Sequence, residues 1–135
     1  SDPEQGAKIL GEWFEGNDAP TAICATTDMT TLSVLRFLAD SRIDLPAQMS
    51  VVGFDDYAWM SARRTKLTGI RQPVDRIADA VWTQLLSRIN GQTGAVINTV
   101  LECELVTRDS VAEPKTKAEY WGDPDMTWNY ESHRR

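Results

Sequence analysis

Two short apolar runs, held apart by one amphipathic stretch, limit this chain's possible folds more than any other feature. Thr21-Ala22-Ile23-Cys24-Ala25 and Ser50-Val51-Val52-Gly53-Phe54 are strand-length, and the second is rich in β-branched residues. Between them Met29, Leu32, Leu35, Leu38 and Ala39 recur at helical spacing and make one apolar stripe over residues 29–39. Parallel strands need a crossover of a dozen residues or more, usually a helix, and this connection is long enough. The pattern predicts an α/β fold: a parallel sheet flanked by helices. The length of 135 residues suits about one domain.

The flanks extend the pattern. Asp2 can cap a helix, Pro3 suits its first position, and Gln5 can reach back to close a capping box. Ala7, Leu10, Trp13 and Phe14 then recur at helical spacing, and Gly16-Asn17 stops the run. Thr26-Thr27-Asp28 is a polar break that can cap the next helix. Residues 57–66 read as a polar, basic loop and residues 67–72 as extended, with Pro73 blocking continuation. Ile77, Ala78, Val81, Leu85 and Ile89 mark the clearest helix, residues 74–89, which Asn90-Gly91 ends. Residues 96–106 alternate as strands do, with Leu101, Cys103 and Leu105 on one face. From Glu113 the pattern fails. Residues 1–112 read as the folded part and 113–135 as a flexible polar tail carrying Tyr120, Trp121, Trp128 and Tyr130.

Charge and composition exclude several classes. The net charge is -6, and no basic cluster exceeds Arg63-Arg64 or Arg134-Arg135. Nucleic-acid binding needs a phosphate-neutralising face, so this segment is not expected to hold DNA by itself. No stretch approaches the ~20 apolar residues of a membrane span, and no secretion leader is visible. Cys24 and Cys103 lie in apolar runs without a CxxC pair. Buried free thiols in a reducing cytoplasm are expected of them. His133 is the one histidine, so histidine-based metal or acid–base chemistry has little material. No cofactor is expected.

The second apolar run ends in a pair of acids, Asp55-Asp56. Ligands of open α/β sheets bind just beyond the carboxyl ends of strands, which makes the pair a candidate site. An Asp after a strand is also ordinary turn chemistry, and paired acids serve glycosidases and magnesium sites. Adjacent residues on extended chain point to opposite sides, so the two are poorly placed to share one substrate. No other acid, lysine or histidine is positioned to complete a mechanism. An enzyme is not expected.

The order of five motifs adds a family resemblance. Pro20-Thr21-Ala22-Ile23 leads to Ala25-Thr26-Thr27-Asp28-Met29. Leu45-Pro46 precedes Ser50-Val51-Val52-Gly53-Phe54-Asp55-Asp56. Leu67-Thr68-Gly69-Ile70-Arg71-Gln72-Pro73 and Glu104-Leu105-Val106-Thr107-Arg108-Asp109-Ser110 follow. Over residues 2–112 this resembles the C-terminal part of lactose-repressor (LacI/GalR) family transcription regulators. The resemblance implies a periplasmic-binding-protein-like module of two α/β subdomains with a small effector, a sugar or nucleoside-like molecule, between them. Operator DNA would be bound only through an N-terminal helix-turn-helix head that lies outside this chain. It also implies that residues 68–73 cross between subdomains, so that residues 74–91 belong to the N-terminal one.

Residue by residue, the resemblance implies that Asp55 hydrogen-bonds effector hydroxyls or ring nitrogens. A carboxylate accepts from two hydroxyls and is costly to leave unpaired once desolvated. Thr27 stands where many relatives carry Asn, and Asp28 follows the pattern; both are also natural helix caps. The effector-stacking aromatic of many relatives falls at or before Ser1, and their proline-rich stretch reads Arg63-Arg64-Thr65-Lys66 here. A homodimer interface would involve Leu32, Leu35, Arg36, Tyr57, Trp59 and Met60, although a helix packed on its own sheet explains the leucines equally. Trp59-Met60 in a polar loop suits a contact patch. Two rival readings share parts of the pattern: a periplasmic sugar-binding protein of an ABC transporter, and an acid-pair hydrolase.

Overall fold

A computed structural model describes residues 3–14 and 20–114. The order is α1 (Pro3–Phe14), β1 (Ala22–Cys24), α2 (Asp28–Asp40), β2 (Ser50–Phe54), α3 (Ala58–Ser61), β3 (Thr68–Arg71), α4 (Val74–Ile89) and β4 (Glu104–Val106). The strands form one sheet in the order β1-β2-β3-β4. β1, β2 and β3 are parallel, and β4 returns antiparallel to β3. The predicted strand–helix–strand unit is present, with Ile23 beside Val51 and Cys24 beside Val52. The proposed cap at Asp2, the stop at Gly16-Asn17 and the tail aromatics lie outside the described residues.

The core forms where α1 and α2 pack together over one face of β2. Phe14 and Phe37 meet at 5.6 Å between ring centroids, tilted by 43°, within the range that aromatic pairs favour. Val34, Leu38, Ile43, Met49, Val51, Met60 and Leu67 complete the cluster. Burying each large side chain is worth about 1.5–3 kcal/mol. Thr31 is fully buried because its hydroxyl donates to the Thr27 carbonyl at 2.7 Å. Gly53 lets α3 approach the sheet: a Cβ there would stand 2.6 Å from Met60 Cε.

Three expectations need correction. The strand expected over residues 96–106 shrinks to Glu104–Val106. β3 offers partners only at Gly69, Ile70 and Arg71, and Val96, Ile97 and Val100 stand exposed, the last by 92%. Both cysteines are free and exposed rather than buried. Cys24 alternates with Ile23, so it lies on the face opposite α2, where Ala22 and Leu105 are also exposed. The polar loop after Asp56 contains the single turn α3, and its Met60 belongs to the core.

α4 carries the apolar stripe that the sequence predicts, yet none of its residues is buried. Val81, Trp82, Leu85 and Ile89 are exposed along it. No described helix is long and apolar enough to cross a membrane.

Candidate ligand cleft at the carboxyl ends of the central strands

β2 ends in a sharp turn. Asp55 adopts φ 68°, the left-handed region, which short polar side chains tolerate better than others. The turn requires room on β3. A Cβ on Gly69 would come within 2.8 Å of the Asp55 carbonyl oxygen, so Thr-Gly-Ile rather than a bulkier triplet follows Leu67.

The left-handed turn sends the two acids to different partners. Asp55 Oδ1 accepts from Gln72 Nε2 at 2.6 Å. An ionised carboxylate only accepts hydrogen bonds, so the amide nitrogen of Gln72 must face it. Asp55 Oδ2 has no partner among the described residues. Both oxygens of Asp56 are engaged: Oδ2 accepts from Arg71 Nη2 at 2.5 Å and Nε at 2.9 Å, and Oδ1 from Arg108 Nη2 at 2.6 Å. The Arg71 hydrogen bond lowers the Asp56 pKa. Burial opposes the shift, and Arg108 and the charges of both arginines add to it. Arg71 also reaches Glu104 at 3.0 Å.

These groups border an open cleft of about 510 Å³, lined by Asp55, Asp56, Tyr57, Arg71, Gln72 and residues 73–76. It lies beyond the carboxyl ends of β2 and β3, where open α/β sheets hold ligands. Carboxylate, amide and guanidinium groups above an apolar rim suit a polyhydroxylated small molecule. No group of His, Cys, Asp and Glu suited to a metal occurs among the described residues.

Thr27 and Asp28 sit at the end of β1 and do not line this cleft. Thr27 is the N-cap of α2: its hydroxyl accepts from Thr30 N at 3.1 Å, while Thr30 Oγ1 accepts from Thr27 N at 3.0 Å. Asp28 opens the first turn, where an acid suits the helix dipole. Of the six interface candidates, Leu32, Arg36 and Tyr57 are exposed and Trp59 is partly buried against the core. Leu35 and Met60 are buried. Met60 lies under Gly53 and Leu35 faces the core cluster, so neither is free to meet another molecule.

Gln72, Arg71, Arg108 and Ser110 were not singled out by sequence. Each lies inside a quoted motif, but their pairing joins residues 15 to 59 positions apart, beyond what local periodicity carries. Ser110 is wholly buried. It accepts from Thr68 N at 2.8 Å and donates to the Val51 carbonyl at 2.5 Å, joining the end of the described chain to both central strands.

The periplasmic binding protein-like domain model matches residues 2–111 of this sheet, helices and cleft. The chain belongs to that family. Its curated relatives include the probable opine utilization operon repressor of Rhizobium rhizogenes, 37% identical over 77% of this chain and 59% of that protein. Among solved structures, a transcriptional regulator CelR–cellobiose complex is 28% identical at TM-score 0.69, over 80% of this chain and 33% of that one. A LacI family regulator from Enterococcus faecium with bound ribose shares the fold at TM-score 0.71 and 24% identity, over 84% of this chain and 42% of that one. This periplasmic binding protein-like chain thus spans about three fifths of that repressor and smaller shares of the two solved regulators. The resemblance to the effector-binding part of LacI/GalR-type regulators holds by both sequence and fold.

Proposed function

We propose that this chain is the effector-sensing segment of a bacterial LacI/GalR-type transcription regulator and that its effector is a sugar. The observation that carries the reading is Asp55: a left-handed residue at the mouth of a cleft, one oxygen held by Gln72 and the other unpaired among the described residues. An acceptor held this way suits two neighbouring hydroxyls of a sugar. Thr27 and Asp28 lie at the adjacent strand end, outside the lining of this cleft, and would add polar groups only in the complete two-subdomain site. The cellobiose bound to the CelR relative supports a sugar.

The full protein would bind its operator through a head outside this segment, work as a homodimer in the cytoplasm and catalyse nothing. The exposed Leu32, Arg36 and Tyr57 and the half-buried Trp59 would face the partner protomer. α4 would dock its bare apolar stripe on the other subdomain, so that effector binding shifts the angle between the halves. Such a shift requires different affinities for the two arrangements. A periplasmic sugar-binding protein of a transporter shares the fold, but the 37% identical relative is a probable opine utilization operon repressor, which favours the regulator. A thermal-shift screen of sugars and nucleosides on the complete protein tests the reading. Stabilisation by a sugar is expected; stabilisation by nucleosides alone would contradict it.

A further inference from the structure

Asp56 lines the same cleft as Asp55, yet both of its oxygens already accept from arginines. Arg71 takes one and Arg108 the other, and the side chain is only 9% exposed. The two arginines come from opposite ends of one excursion of the chain. Arg71 closes β3, just before the backbone leaves through Gln72-Pro73 into α4. Arg108 follows β4, where the backbone has returned. Arg108 is itself fixed to β3: Nη1 donates to the Leu67 carbonyl at 2.7 Å and its backbone N–H to Thr68 Oγ1 at 2.9 Å. Arg71 adds Glu104, the first residue of β4. One carboxylate therefore ties the exit and the return of residues 72–103 to the end of β2.

Its neighbour depends on that tie. A non-glycine residue in the left-handed region costs on the order of 1–2 kcal/mol, so the Asp55 turn persists only where its surroundings over-determine it. Three restraints act: the bare Gly69, the Gln72 hydrogen bond and the double ion pair of Asp56. Only the last draws on both crossings, and it aims Asp55 at the cleft while keeping the excursion in register with it.

We propose that Asp56 is a positioning residue: by clasping Arg71 and Arg108 it holds the Asp55 turn and sets effector affinity without touching the effector. This rests on the effector-site reading of Asp55. The test is calorimetric titration of the complete regulator with ribose, glucose and cellobiose, at a temperature where every variant is folded by circular dichroism. Asp56→Asn should weaken sugar binding by about tenfold, the scale on which losing an outer partner of a metal-ligating side chain weakens metal binding. Ser110→Ala, which removes buried hydrogen bonds from the same sheet, should leave affinity unchanged. If Asp56→Asn does not fold, Arg108→Met, whose arginine clasps Asp56 from outside the cleft lining, should weaken binding and Arg108→Lys recover part of it. Unchanged affinity in the folded Asp56 or Arg108 variant, or equal weakening by Ser110→Ala, overturns the positioning role. Asp55→Asn separates the two claims. If it weakens binding while Asp56→Asn does not, only the positioning role falls. If Asp55→Asn is also silent, or none of the three sugars binds, the effector-site reading fails and the positioning role with it.

Discussion

Two glycines hold the cleft's geometry at the residue scale, and they are not equivalent. A Cβ on Gly69 meets a backbone oxygen, that of Asp55, at 2.8 Å, whereas one on Gly53 meets first the mobile end of Met60. A side-chain terminus yields more readily than backbone, so Gly69→Ala should cost more stability than Gly53→Ala. The cost expected for Gly69→Ala is about 1–3 kcal/mol, that of forcing atoms into a filled site. Urea denaturation of both variants checks the order. Ser110→Ala leaves Thr68 N–H buried without its partner, which should cost about 1–3 kcal/mol. A loss below a few tenths in the same assay would contradict the role of Ser110 in joining the strands.

Individual elements differ in how their sequence announces them. β1, α2 and β2 were legible because period, length and turn residues agree within each. β4 was only partly so. Alternation from Val96 to Val106 is a real pattern, but strand formation needs a partner, and β3 supplies three residues of one. Burial was the weaker inference for a related reason. Cys24 and α4 are apolar by sequence, while exposure depends on what lies across the sheet or beyond the helix. The place of Asp55 beyond the end of β2 was legible in the sequence; the contacts of Gln72, Arg71 and Arg108 around it were not, since they are long-range.

The folded pKa of Asp56 lies below its ordinary value. A depressed carboxylate contributes stability that is fully present above the unfolded pKa of about 3.9 and is lost as pH falls through the folded value. Stability from this group should therefore be flat between about pH 5 and 7 and decline below about pH 4. Asp56→Asn should flatten that acid decline in denaturation series run at several pH values. An unaltered slope would show that the ion pairs contribute nothing to folding.

At the scale of the whole molecule, one face of α4 is apolar and bare. Monomeric proteins rarely leave such a continuous stripe uncovered. If the stripe docks on the other subdomain, Val81→Glu should destabilise the complete protein by about 2 kcal/mol or more, the scale of placing an unpaired charge in an apolar interface. It should barely alter the melting of this segment alone, where Val81 already meets water. Equal effects in both would contradict the assignment.

In the proposed function a sugar is held by the carboxylate of Asp55. The most direct measurement is the dissociation constant of the sugar that stabilises the complete protein best, for wild type and Asp55→Asn, under conditions where both are folded. Hydrogen bonds to charged groups are worth about 1.5–3 kcal/mol, so Asp55→Asn should weaken binding by roughly ten- to hundredfold. An Asp55→Asn protein that binds the sugar as tightly as wild type would contradict the account.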